Sequence, residues 1–180
     1  GHTASDCEKA CALIRSFGFE LGVQMMTGLF GDTDEKAIQT AKKLISLSPD
    51  TVRIYPTVVL KGTELERLYD CGEYKAQSLE EAVGLCSELL RLFSENGVKV
   101  IRLGLHSGGD VENGYVAGAY HPAFRELCES RLYREKTEEI LKNSNIKNGR
   151  VDLAVSGKYI SQAKGQKKSN VTYFKEKGFD

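Results

Sequence analysis

Two rhythms of apolar positions alternate along this chain, one with helical spacing and one of short, nearly continuous runs. Cys7, Ala10, Cys11, Ile14 and Phe17 recur at the spacing of a single helix face, Ser5 or Asp6 stands where a cap belongs, and Gly18 supplies a stop. The run E-L-G-V-Q-M-M that follows has the length and apolarity of a buried strand and breaks at T-G-L-F-G-D. The alternation then repeats. A helix over about 34–48, with Ile38, Ala41, Leu44 and Ile45 on one face, precedes the β-branched run T-V-R-I-Y-P. Another, over about 79–95, uses Ala82, Val83, Cys86, Leu89, Leu90 and Phe93, stops at Asn96-Gly97 and precedes V-K-V-I-R-L.

Three helix–strand units in series predict a parallel sheet with helices outside it, either an open α/β sheet or part of a barrel. In both, functional loops lie beyond the carboxyl ends of the strands. Here those loops are 27–33, 56–77 and 104–121. After the glycine-rich stretch G-L-H-S-G-G-D-V-E-N-G-Y, a helix over about 123–141 leads to N-S-N-I-K-N-G, a linker. The remainder reads as a strand V-D-L-A-V, a short helix G-K-Y-I-S-Q-A-K, a tight basic loop G-Q-K-K and a second helix S-N-V-T-Y-F-K-E-K.

Charge changes this picture in one place. The 180 residues balance 25 basic against 25 acidic side chains, so the whole chain selects no polyanionic partner. Residues 143–180, however, hold eight Lys/Arg against three Asp/Glu, a local charge of +5 that leaves −5 for residues 1–142. No apolar run approaches the roughly 18 to 20 residues of a membrane span, and the start does not resemble a signal peptide, so a cytoplasmic protein is expected. Five scattered cysteines, at 7, 11, 71, 86 and 128, suit reduced thiols better than a disulfide framework.

C-E-K-A-C at 7–11 poses a choice between an iron–sulfur motif and two small core side chains one helical turn apart. A C-x3-C-x2-C sequence needs its third thiolate at position 14, which is Ile, and cluster cysteines belong on an irregular loop rather than on a helix face. A core role is expected, because free cysteine packs as a small hydrophobe. Neither a second cysteine pair nor a histidine pair completes a zinc site. M-M-T-G-L-F-G-D-T joins a strand end to a helix start, where glycines allow a ligand close to the backbone and a helix amino terminus offers N–H groups; the alternative is a tight turn with an N-cap. It is neither a P-loop nor G-x-G-x-x-G.

G-H-T, a helix, G-F-E-L-G-V-Q-M-M-T-G-L-F-G-D-T and then S-P-D-T-V-R-I-Y-P-T-V-V-L-K-G-T-E-L-E-R-L together resemble the second half of the radical S-adenosylmethionine (radical SAM) domain over about residues 1–105. The nearest branches are the catalytic subunit of Elongator and oxygen-independent coproporphyrinogen oxidase. The resemblance implies an α/β fold that is the carboxyl-terminal part of a partial TIM-like (βα) barrel over 1–108, a loop and helix packing on the barrel over 109–142, and a small basic α+β appendage over 143–180. It also implies S-adenosylmethionine and a 4Fe–4S cluster as cofactors. The cofactor is cleaved reductively to a 5′-deoxyadenosyl radical that abstracts hydrogen from substrate.

By position, Met26, Gly28, Leu29 and Gly31 with the backbone of Tyr55 and Pro56 fall where that family holds the cofactor. Gln24 stands where the coproporphyrinogen-oxidase branch has a cofactor-binding aspartate. The cluster cysteines are expected upstream of this sequence, in a missing amino-terminal part of the same protein. The chain alone is therefore expected to be inactive, and an acetyltransferase domain like the one Elongator carries is not expected after Asp180. His106, Tyr120 and His121 lie at the edge where a substrate would sit.

The tail resembles part of a KH module, whose G-x-x-G loop approaches nucleic-acid phosphates; here Gly165, Lys167 and Lys168 form the corresponding loop, with Lys168 in place of the last glycine. That agrees with the tRNA-modifying Elongator branch. A tetrapyrrole enzyme and a non-enzymatic α/β RNA-binding module are the alternatives.

Overall fold

Strand β2 (Thr51–Pro56) alternates between side chains with almost no exposure, Val52, Ile54 and Pro56, and side chains left accessible, Arg53 and Tyr55. This period of two assigns one face to the core and one to the outside. The computed structural model, which describes residues 2–106 and 108–180 and so leaves Gly1 of the G-H-T motif outside, places β2 between β1 (Gly22–Thr27) and β4 (Lys99–Leu103) in a parallel sheet ordered β1-β2-β4. Met25 and Thr27 from β1 and Val100 and Leu103 from β4 join the buried face.

That face is covered by α2 (Asp34–Ser46) and α4 (Leu79–Glu95). Helix α2 presents Ala37 and Ala41, small enough to let its backbone approach the sheet, and α4 adds Leu85, Cys86, Leu89 and Phe93. Both helices begin as their sequences dictate. Thr33 Oγ1 accepts from Lys36 N–H, and Ser78 and Glu81 exchange bonds in a capping box. A second, antiparallel ribbon pairs β3 (Val58–Leu60) with β5 (Tyr115–Gly118), and α3 (Glu64–Asp70) and α5 (Gly109–Gly114) occupy the connections. Gly118 is obligatory there: its φ is +109°, and a Cβ would lie 2.9 Å from Thr57 O.

Helix α1 (Ala4–Ser16) corrects two expectations. Its cap is Thr3, in a capping box with Asp6, rather than Ser5 or Asp6. None of its residues is buried: Cys7 is exposed and Cys11 half-buried, so they are not core residues. The helical spacing is as read, but no described element covers that face. Leu13, Phe17 and Phe19 are 59%, 70% and 67% exposed. Asp50 ties the region down, accepting from Leu21 N–H at 2.7 Å and pairing with Arg15 at 3.3 Å. The backbone N–H bond, with Arg15 adding to it, holds the Asp50 carboxyl below its ordinary value.

The chain divides into two compact units at Pro122/Ala123, so α6 (Phe124–Asn143) groups with the carboxyl-terminal helices α7 (Ile160–Lys164) and α8 (Ser169–Glu176). The expected strand V-D-L-A-V does not form. Pairing is confined to one parallel bridge, Gly149 with Phe179, flanked by Val151 N–H donating to Asp180 O, and residues 152–155 meet no strand among the described residues. This unit is therefore helical where the sequence suggested an α+β appendage.

Asn170, 3% exposed, fastens the unit: its Nδ2 lies 2.8 Å from Ser130 O, 3.1 Å from Ala163 O and 3.3 Å from Gln162 O. Asn170→Ala leaves buried carbonyls without a donor and is expected to cost about 2 to 3 kcal/mol. Urea unfolding followed by circular dichroism checks this, and a change below about 0.5 kcal/mol would be inconsistent with a fastening role.

Candidate functional site

The carboxyl ends of β1, β2 and β4 lie side by side, with Thr27 opposite Pro56 in register and Thr57 N–H donating to Thr27 O at 2.9 Å. From this edge the segment 28–34 turns back into α2. Gly28 has φ +72°, a turn that favours glycine, and Gln77 lies over it, its Oε1 2.5 Å from where a Cβ would sit. Tyr74, 7% exposed, donates its hydroxyl to Gly28 O at 2.6 Å, and burial raises its pKa. The segments 28–34 and 73–77 enclose a cavity of about 340 Å³.

Part of this loop's backbone is bonded within the chain. Gly28 N–H donates to Asp32 Oδ2 at 3.1 Å, Lys36 Nζ donates to Gly31 O at 2.7 Å, and Thr33 caps the helix. The expected set of free N–H groups at the α2 amino terminus is thus diminished by in-chain partners. Three large apolar side chains remain accessible there, Met26, Leu29 and Phe30, exposed by 40%, 47% and 58%. Asp34 stands over the same cavity with its pKa raised, first by desolvation and then by Glu35 and Asp32.

The outward face of the parallel sheet carries Gln24, Met26, Arg53, Tyr55 and Ile101. Gln24 is the register partner of Arg53, and Met26 that of Tyr55. Pro56 is fully buried and offers only its backbone. The three predicted substrate residues have different neighbours. His106 Nδ1 accepts from the Arg102 guanidinium, a group that can only donate; Tyr120 packs against Tyr115 with ring centroids 5.9 Å apart; His121 is half-buried just beyond. Tyr74, Gln77, Arg53 and Arg102 escaped the sequence reading, because their importance comes from pairing across segments and not from local spacing.

In the second unit the loop G-Q-K-K splits into two roles. Gly165 is buried at φ +76° and ψ 159°, its N–H donates to Ser161 O, and a Cβ would collide with Ser169 Oγ. It makes a tight turn and does not present backbone to a phosphate. Lys167 and Lys168 are exposed and both left-handed, at φ +52° and +62°. A largely apolar cleft of about 690 Å³ in this unit is lined by residues such as Ile140, Leu153, Ile160 and Phe174.

This arrangement, a parallel βα sheet with one open face and its loops at the carboxyl edge, is that of a partial barrel. Residues 49–134 match the radical SAM C-terminal domain family. The chain is 36% identical over 90 residues to the tRNA uridine(34) acetyltransferase of Methanocaldococcus jannaschii, an alignment covering 48% of this chain and 17% of that protein. It is 30% identical over 136 residues to human Elongator complex protein 3, covering 73% of this chain and 24% of the relative. The archaeal Methanocaldococcus infernus Elp3 has the same fold at a TM-score of 0.63 and 24% identity, over 81% of this chain and 32% of that one. The chain therefore spans about a quarter or less of the length of these curated relatives.

Among the described residues no three His, Cys, Asp or Glu side chains gather as metal ligands. The residues present do not fit an iron–sulfur cluster. No helix among them is long and apolar enough to cross a membrane. Burial pushes the Cys86 thiol, 3.9 Å from Thr27 Oγ1, up to about 12. A thiol reagent is expected to modify three of the five cysteines rapidly in the native chain, Cys7, Cys11 and Cys71, and to reach Cys86 and Cys128 only after unfolding. Mass mapping of labelled peptides checks this, and early labelling at Cys86 would contradict its position beneath β1.

Proposed function

We propose that this chain supplies the carboxyl-terminal barrel strands, and a basic RNA-contacting segment, of a cytoplasmic radical SAM enzyme that modifies tRNA. The observation that carries the reading is the match of residues 49–134 to the radical SAM C-terminal domain family, of which β2 lies beside β1 and its loop 26–31. The names of the relatives favour tRNA over a tetrapyrrole as substrate. When bound, S-adenosylmethionine and a 4Fe–4S cluster supply the family's radical chemistry.

The chain's own residues bind and exclude. Met26 and Leu29 offer apolar cover for a planar ring, Gln24 an amide for polar groups beside it, and the Tyr55–Pro56 backbone a rigid edge. Gly28 and Gly31 shape the loop, which Tyr74 and Gln77 hold in place. His106, Tyr120 and His121 stand on the substrate side, reached from the same carboxyl edge. The cluster ligands are assigned to another part of the protein, so this chain alone is inactive in the first step.

Iron analysis of the natural, unclipped polypeptide after anaerobic reconstitution tests the reading, with this 180-residue chain as control. About four irons per long chain and none in the short one is the expected result. A natural product that starts near Gly1 and binds no iron would overturn it.

For the RNA-contacting segment, the excess of basic residues in 143–180 and the exposure of Lys167 and Lys168 support phosphate contact by the side chains alone. Lys167→Ala/Lys168→Ala should weaken tRNA binding at every sequence and flatten the slope of log K against log salt by about 2. Unchanged affinity and slope would remove the tail from the interface.

A further inference from the structure

The register of the parallel sheet brings together three side chains that no spacing in the sequence connects. Gln24 on β1 pairs with Arg53 on β2, and Arg53 pairs with Arg102 on β4. The pairing shifts between Val52 and Arg53, so that Ile101 and Arg102 together oppose Arg53. This is a bulge, and the two bulged residues share the side of the residue they oppose. Burial agrees: Val100 and Leu103 are in the core, whereas Ile101 is 43% exposed and Arg102 half-exposed. Gln24, Arg53 and Arg102 thus form one row across the open face.

Two guanidiniums on adjacent strands, about 4.8 Å apart at the backbone, repel one another unless an anion lies between them. Among the described residues no carboxylate lies within 4.0 Å of either, although eight ion pairs form elsewhere. An acidic side chain at position 24 would have neutralised Arg53; the residue there is Gln, which adds an amide donor instead. His106 takes one Arg102 N–H and so orients that fork without neutralising it. Met26 and Tyr55 fill the next level toward the carboxyl edge.

We propose that Gln24, Arg53 and Arg102 form an oxyanion seat on the open face of the sheet, which takes the carboxylate or phosphate group of a ligand. Guanidinium forks match either group with paired hydrogen bonds, and the amide completes the donor set. The seat follows from the strand register and does not depend on the radical SAM reading.

The test uses the ¹⁵N-labelled 180-residue chain, titrated at constant ionic strength with inorganic phosphate and, separately, with malonate, while arginine Nε–Hε and backbone amide signals are followed. Saturable shifts are expected at Arg53, Arg102 and Gln24. Arg53→Gln should weaken binding at least about tenfold, Arg53→Lys less, and Arg53→Gln/Arg102→Gln should abolish it. Tighter binding of phosphate identifies a phosphate ester as the ligand, and tighter binding of malonate a carboxylate. Non-saturable shifts, shifts confined to Lys167 and Lys168, or equal binding by the double variant would overturn the seat. If the double variant does not fold, the saturable response of the wild-type arginine signals decides.

Discussion

Strand β2 is the constraint on which the first unit depends, because it is the strand that is hydrogen-bonded along both edges and packed on one face only. Its neighbours β1 and β4 take their register from it, and α2 and α4 find their seats on the face that Val52 and Ile54 present. Parallel sheets are ordinarily covered on both faces. Here the covered face is a continuous core reaching down to Phe93, while the other collects an amide, two guanidiniums, a tyrosine and two apolar side chains. That division between one sealed and one open face gives the unit a place for chemistry.

Around the carboxyl edge the loop after β1 is fastened by its neighbours. The loop at Gly28 is held by Asp32, Tyr74 and Lys36, with Gln77 packed over it. Such a loop has lost its freedom before any ligand arrives, which lowers the ordering cost of binding. Asn170 plays the corresponding part in the second unit, where one amide gathers carbonyls from two segments around α8.

Much of this was legible in the sequence. The α4 boundaries, 79–95, follow from periodicity and an Asn-Gly stop, and the strands T-V-R-I-Y-P and V-K-V-I-R-L fall where they are read. The loops at 27–33 and 56–77 do flank the carboxyl edge. What failed did so because local pattern does not report a partner. V-D-L-A-V has strand composition without a strand to pair with; C-E-K-A-C lies on an apolar helix face without a core against it; β3 and β5 are too short to announce themselves. The arginine row is illegible for the same reason: positions 24, 53 and 102 become neighbours only through register.

The order of the sheet has a consequence for how the unit is made. Its strands lie side by side in the order in which they occur in the chain, β1 joined to β2 through α2, and β2 to β4 through a connection that holds β3, α3 and α4. No strand must be inserted between two that already pair. Growth is by addition at one edge, so a chain emerging from the ribosome amino terminus first can lay β2 on β1, and then β4 on β2, without undoing earlier contacts. Loop-closure entropy is met in separate instalments rather than all at once.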